Sequence, residues 1–298
     1  MVYHEGERSV QARAGVCAIA DHMGSQVQNR LPPVLQEFLR NQPMAIAGTT
    51  DAAGLVWASL LVGAPGFLTA AAEDALQVEA RRREGDPLWK NLDQGLHMGL
   101  LIIDLATRRR ARLNGVVFSI EQDKFLVRTN QVYSNCSKYI QARKWSLELQ
   151  EEEAASVKHA RALTGVQQDL IRKADTFFIA TAHVQYGADA SHRGGEPGFV
   201  TVVDATHLQW PDYKGNSMFQ TLGNISVNPV AGLLFLDWNR RVTLQLSGSA
   251  KIIWAAERTS RFPGAERIVE FEVVEAVEIS GGLPLRWQFL DAYRFNPR

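Results

Sequence analysis

The sequence predicts a mainly β chain, built as two similar β-barrels in tandem with peripheral helices. Three observations carry this. Short apolar segments punctuated by Gly, Pro and Asp recur along the chain, as strands do. Helical periodicity is confined to a few stretches, such as PPVLQEFLRNQ and LTGVQQDLIRKAD. The pattern also repeats itself: Pro65-Gly66-Phe67 returns as Pro197-Gly198-Phe199, and Gly99–Asp104 returns as Gly232–Asp237, offset by 132 and 133 residues. Shared order and spacing point to an internal duplication. Each copy reads as one helix followed by about six short strands, with a small helix inserted between them. Antiparallel strands in such a run close most naturally as a barrel, which removes exposed edges. Two barrels in one chain can then pack about a pseudo-twofold axis, as a homodimer would.

Taken in order, residues 1–31 form an N-terminal extension, with a short helix expected over Gly6–Val16. The first copy spans 32–145. Its helix starts at Pro32, since proline suits a first turn, and Pro43 marks its end. The segments MAIAGTT, LVWASLLVG and PGFLTA read as strands. A helical piece is expected over Ala71–Arg83, and another in DPLWKNLDQG, with Asp86 as N-cap and Pro87 in the first turn. GLLIIDL, RRRARLNGVVFSI and KFLVRTNQVY read as three antiparallel strands. Residues 146–161 are charged and read as a solvated connector, partly helical. The second copy spans 162–298, with Thr164 capping its helix and FFIATAHV opening its strands.

Composition narrows the function. Of 298 residues 46% are apolar, enough for real cores, and Lys+Arg and Asp+Glu both number 32. A neutral chain gives no electrostatic case for nucleic acid or an anionic membrane as partner. No apolar run approaches the roughly 18 residues of a membrane span, and the N-terminus lacks the apolar core of a signal peptide. Cys17 and Cys136 make no disulfide framework. A cytoplasmic protein with reduced thiols is expected, with Cys136 a small buried residue.

The chemistry concentrates between Tyr186 and Asp237. Ser191, His192 and Arg193 are read as lying just before a strand, and Lys214, Gly215, Asn216 and Ser217 as standing where a helix begins. A helix start presents free N–H groups and a positive dipole end, a natural seat for phosphate. The duplication supplies an internal control. Leu60 and Leu61 stand where the second copy has His192 and Arg193; Glu84 and Pro87 stand opposite Lys214 and Ser217. The first copy would repel a phosphate through Glu84, so a single phosphate site belongs to the second copy. Arg108, Arg110 and Arg112 share one strand face. That face is either solvated or turned across the interface into the other copy's site. Asn135, Lys138, Tyr139 and Arg143 follow the first copy's last strand. They either close over that site or form a surface helix capped by Asn135.

HRGGEPGFVTV, DYKGNSMFQTLGNISVNPVAGLLFLD and NCSKYIQAR together resemble the FMN-binding split-barrel proteins related to pyridoxamine 5'-phosphate oxidase. The resemblance is strongest over Phe177–Trp254. It implies a tandem of two split barrels with FMN between them, the phosphate held by one barrel and the ring pocket completed by the other. Carried over, Arg193, Lys214, Asn216 and Ser217 would bind the phosphate, with Gly215 in the same loop. Ser191 and His192 would lie near the ribityl chain or ring, and Arg110, Asn135 and Lys138 would reach in from the first copy. The basic strand and C-terminal substrate-phosphate motif of the vitamin B6 enzymes are missing, so the cofactor carries over better than the substrate.

Other chemistries find no support. None of the seven histidines makes HExxH, and no metal constellation is expected. GxSxG and GxGxxG are both missing. Asp189 and His192, three apart on a strand, point to opposite faces and make no dyad. Trp210, Phe219, Phe235 and Trp238 read as core. The expected function is an FMN-dependent oxidoreductase acting on a small molecule, with no residue nominated as acid or base. The alternative is a flavin-binding or electron-transfer module without turnover. Partners are then a small-molecule substrate or electron donor, and a homodimer of the chain is also allowed.

Overall fold

The computed structural model describes residues 2–122, 124–147 and 155–297. The chain opens with two helices, α1 (Glu5–Arg13) and α2 (Cys17–Gly24). His4 caps α1 in a capping box with Glu7, each satisfying a backbone N–H of the first turn. The first barrel follows: α3 (Pro33–Arg40), β1 (Met44–Thr50), β2 (Val56–Val62), β3 (Leu68–Ala72), β4 (Ala75–Val78), α4 (Pro87–Asn91), β5 (His97–Asp104), β6 (Arg109–Glu121) and β7 (Lys124–Asn135). Next come β8 (Ala142–Leu147) and β9 (Ser156–Ala160). The second barrel is α5 (Gly165–Lys173), β10 (Thr176–His183), β11 (Gly187–Gly194), β12 (Thr201–Val202), β13 (His207–Tyr213), α6 (Gln220–Val227), β14 (Val230–Asp237), β15 (Val242–Ile253), α7 (Ala256–Thr259) and β16 (Ala265–Ser280). A last strand, β17 (Leu285–Asp291), pairs with β8.

The two sheets have the same order, β2-β1-β5-β6-β7-β4-β3 and β11-β10-β14-β15-β16-β13-β12. Their registers agree as well. Met44 faces Val62 and Thr176 faces Gly194; Leu101 faces Arg112 and Leu234 faces Gln245. The molecule is therefore the mainly β tandem of split barrels that the repeat predicts, with seven strands per barrel rather than six.

Alternation along the central strands builds three cores. On β1, Ala45 and Ala47 face the first barrel's interior, whereas Met44 and Ile46 face the other barrel. On β10, Phe177 and Ile179 fill the second interior, and Phe178 and Ala180 meet the first barrel. A period of two thus gives each strand one face for its own core and one for the interface. Two equivalent glycines let the backbones approach. A methyl group on Gly99 would meet the Ala188 carbonyl and the Asp189 Cα; one on Gly232 would meet the Val56 carbonyl and the Trp57 Cα. These reciprocal contacts are what a pseudo-twofold axis requires.

Several sequence expectations change. Ala71–Arg83 reads helical because its alanines and leucine have high helix propensity. It instead forms the end of β3 and β4, since Leu76 and Val78 reach the core and β4 pairs with β7. Ser191, His192 and Arg193 lie within β11, not before the next strand. The 146–161 connector is flanked by strand rather than helix: β9 adds to the sheet beside β16. Its residues 148–154 lie outside the described ones. Asn135 ends β7 and caps no helix, and Cys136 is exposed. No helix among the described residues is long and apolar enough to cross a membrane.

Candidate functional site

The second barrel carries a cleft of about 100 Å³ where the end of β11 meets the start of α6. Strand alternation turns Asp189, Ser191 and Arg193 to one side and His192 to the other. The loop after β13 reverses through two left-handed residues, Ser217 (φ 64°) and Phe219 (φ 60°). The helix begins three residues later than the sequence suggests, at Gln220, with Phe219 as an N-cap that makes no side-chain bond. The first-turn N–H groups of α6 have no intrahelical partner, and that turn lines the cleft through Gln220 and Thr221. The Thr221 hydroxyl donates to Ser191 Oγ at 3.1 Å.

Of the residues nominated from sequence, Ser191, His192, Arg193, Gly215, Asn216 and Ser217 line this cleft. Lys214 does not: its side chain is exposed, and only its carbonyl takes part, accepting from the Tyr139 hydroxyl at 3.2 Å. A lysine beside a glycine-rich turn reads as a phosphate ligand, but side-chain direction is set by φ and ψ, which spacing does not give. Lys138 does not line it either. Asn135 accepts from Asn216 Nδ2 at 2.7 Å and so braces the loop from the first barrel. Arg143 is buried in an ion pair with Asp175 at 2.6 Å, its guanidinium over Trp238, and is structural. Of the four aromatics, Trp210 and Phe235 are core and Trp238 packs on Trp287; Phe219 lines the cleft.

The arginine strand of the first barrel does cross the interface. Arg112 lines the cleft and donates from Nη1 to Gln220 Oε1 at 3.0 Å and to the Tyr133 hydroxyl at 3.1 Å, with Asp189 at 3.6 Å. Arg110 donates Nε to the Cys136 carbonyl at 2.8 Å. Arg108 turns away to Ile140 and Asp291. Tyr139 lines the cleft and packs its ring on Tyr213, 5.2 Å between centroids. Gln220 and Thr221 are not among the residues that the sequence singles out, whereas Arg112 and Tyr139 belong to the two first-copy segments that it offers as closing the site. For Arg112 the signal is present, as the third member of the Arg108–Arg112 face.

The electrostatics favour an anion. Burial, then Arg112 and Arg267, hold the Arg193 guanidinium below its ordinary pKa against the pull of Asp212. Burial, then Arg112 and Arg193, bring Arg110 down to about 9. Burial, followed by Arg110, Arg193 and Arg143, keeps His192 well below the usual imidazole value, so it is neutral at pH 7. The nearby carboxylates are already engaged: Asp212 pairs with Arg267 at 2.8 Å, and Asp189 with Asn114 at 2.6 Å and with Arg112. Arg112 Nε in this cleft and His192 Nε2 on the strand's other face have no hydrogen-bond partner, nor have Arg83 Nε and Gln245 Oε1 in the first barrel. Clustered guanidinium groups and orphaned polar atoms are costly unless a ligand completes them. A phosphate with a polar chain suits this set, so the residues fit the phosphate end of FMN.

The equivalent place in the first barrel is filled by the protein itself. Ser59, the counterpart of Ser191, donates to Asp86 Oδ1 at 2.6 Å and accepts from Gln245 Nε2 at 3.0 Å. Gln245 is the counterpart of Arg112. Arg83 donates to Oγ1 of Thr243, the counterpart of Arg110, at 2.6 Å, and to the Ile279 carbonyl at 2.9 Å. The blocking acid is therefore Asp86, not Glu84, which is exposed. The only cluster of three metal-type ligands among the described residues, His4, Glu5 and His183, lies elsewhere, and both ring nitrogens of His4 already hold hydrogen bonds.

Comparison with known proteins agrees with the second barrel's sequence. Residues 163–282 match the family model described as pyridoxamine 5'-phosphate oxidase. Among curated proteins nothing matches. Solved structures similar to this chain include a Lactobacillus delbrueckii protein proposed to be a pyridoxamine 5'-phosphate oxidase. It is 18% identical, aligned over 39% of this chain and 94% of that one, with TM-score 0.34. HupZ of Group A Streptococcus is 15% identical over 44% and 97%, TM-score 0.31. An FMN-binding protein of Syntrophomonas wolfei is 10% identical over 41% and 84%, TM-score 0.28. Likeness this distant says nothing of what the chain binds.

Proposed function

From a second barrel that belongs to the pyridoxamine 5'-phosphate oxidase family, we infer that the chain binds FMN in this cleft and is an oxidoreductase acting on a small molecule. One observation carries the reading. Two clefts of the same topology occur in one molecule; one is closed by an acid, Asp86, bonded to its serine, and the other has Thr221 on its serine and the cations Arg193 and Arg112 in its lining. Arg193, Asn216, Ser217, Thr221 and the first-turn N–H groups of α6 would hold the phosphate by charge-assisted bonds. Bound there, FMN would supply two-electron chemistry at its ring.

The chain's own contribution is to bind, orient and exclude water. Arg112 fixes the orientation of Gln220 and Tyr133. Neutral His192 offers a donor or an acceptor according to its tautomer, and Tyr139 and Phe219 cover the cleft. The test is direct. The purified chain is incubated with FMN, freed of excess, and read for visible flavin absorbance, with mass spectrometry of the released cofactor. A colourless protein refutes the reading.

A second reading, a flavin-binding or electron-transfer module without turnover, is favoured by the state of His192. This imidazole is buried beside cations and is poorly suited to take up a proton. Reduction of the loaded protein by NAD(P)H and reoxidation by oxygen, in repeated cycles, supports the enzyme; a single stoichiometric reduction supports the module.

A further inference from the structure

A larger cavity, about 500 Å³, lies next to the cleft, between α3, the first strands' arginine edge and the N-terminal extension. Chambers of roughly 300–1,000 Å³ hold small molecules. The wall between the two spaces is one residue thick: Met218 lines the larger, and its neighbours Ser217 and Phe219 line the smaller. Asn135 lines the larger and bonds Asn216, which lines the smaller.

We propose that this cavity is a binding chamber for a small aromatic carboxylate, its charged end on Arg109 and Arg110 and its ring on Leu35, Phe38 and Met218. The lining combines an apolar floor with cations, and none of its described residues is an acid. Arg108 is neutralised by Asp291, but Arg109 lies over the Phe38 ring, 5.3 Å from its centroid. Arg110 uses only Nε in the bond to the Cys136 carbonyl, which leaves its Nη groups for a planar two-oxygen acceptor.

The second barrel again gives a control. The groove beside its helix, between α5 and the β14–β15 turn, has Val166 and Leu170 in the places of Val34 and Phe38, but its strand side is Leu236–Arg240, the counterpart of 103–107 rather than of Arg108–Ala111. There Arg143, Lys173 and Arg240 are balanced by Asp169, Asp175 and Asp237. Val242 and Thr243 replace Arg109 and Arg110. The two cations at 109 and 110 are therefore particular to the first barrel. Calling the carboxylate a substrate rests on the flavin reading; its binding does not.

The experiment is calorimetric titration of the full chain with benzoate, in FMN-free and FMN-loaded forms. Saturable binding in both is expected, weakened at least about tenfold in Arg109→Gln/Arg110→Gln by loss of two charge-assisted contacts and unchanged in Arg240→Gln. Circular dichroism checks that the double variant folds; if it does not, Arg109→Gln alone, at an exposed position, must still weaken binding. No saturable binding, or binding indifferent to these arginines, overturns the proposal. Binding to the FMN-free form alone also overturns it, since the flavin would then fill the chamber. Benzoate binding in a protein that takes no FMN leaves the chamber standing and removes the flavin reading.

Discussion

Beside Ser59 the first barrel places Asp86, Arg83 and Gln245; beside Ser191 the second places Thr221, Arg193 and, from across the interface, Arg112. Strand order and register are the same in both. The difference lies in what meets the serine hydroxyl. In the first barrel a carboxylate already accepts from the serine hydroxyl and from the N–H of Leu88 at 3.0 Å. In the second, the serine accepts from Thr221, the carboxylate in the lining, Asp212, is paired with Arg267, and Arg193 and Arg112 stand in the cleft. One duplicated cleft thus became a structural joint while the other kept room for a ligand. The helix behind the open cleft is also braced differently. α6 packs against α1, with Gly6 and Gly223 in close approach, and His4 Nε2 bonds Asn224 at 2.9 Å.

The contrast can be broken most directly by giving the open cleft the closed cleft's acid. Phe219→Asp places a carboxylate at the N-cap of α6, as Asp86 stands at the N-cap of α4. Aspartate tolerates the left-handed backbone there and caps helices well. FMN affinity, followed by quenching of flavin fluorescence, should fall at least about 100-fold, since like charges in contact cost several kcal/mol, with the melting temperature kept. Affinity within a few-fold of the parent would show that the acid is not what closes the first cleft.

The brace on α6 should show as a pH dependence of stability. Burial, then Asp189, push the Glu7 carboxyl up to about 8. A carboxyl raised in the folded state contributes stability that is complete below its unfolded pKa and is lost as pH rises from there through about 8. Urea unfolding should lose on the order of 2–4 kcal/mol between about pH 5 and pH 8.5. Glu7→Gln, which keeps an acceptor for the His4 N–H, should flatten that slope; an unchanged slope would place the titration elsewhere.

Two ligand substitutions sharpen the comparison further. Arg193→Gln removes a cation from the cleft and should weaken FMN by about 30-fold, as loss of a charge-assisted bond does. Lys214→Glu installs the first barrel's Glu84, yet both side chains are exposed, so the change should stay below about threefold. A large loss there would restore the lysine that the sequence nominates.

Lys214 and Asp86 show where residue type and spacing stop being informative. A lysine near a glycine turn and an acid in the matching loop are visible in the sequence, but which side chain points inward follows from backbone angles and neighbours. Asp86 reads as a helix cap, and it is one; that the same carboxylate also plugs the cleft depends on Ser59 lying next to it, 27 residues away. Ala71–Arg83 misleads for a related reason, since local propensity yields where a strand can pair with β7 and bury Leu76.

By itself the sequence determined the tandem and the mainly β class, and it told the two copies apart by their polar residues. Those are properties of periodicity and residue type, which are written along the chain. It also determined that Arg108, Arg110 and Arg112 share a face. Only the tertiary structure decided how this face divides its work: Arg108 to Asp291, Arg110 to the Cys136 carbonyl and the larger cavity, and Arg112 to the other barrel's cleft. The reason is that the interface pairs residues far apart in sequence, and the two glycines that permit its close approach act through what they lack, a side chain.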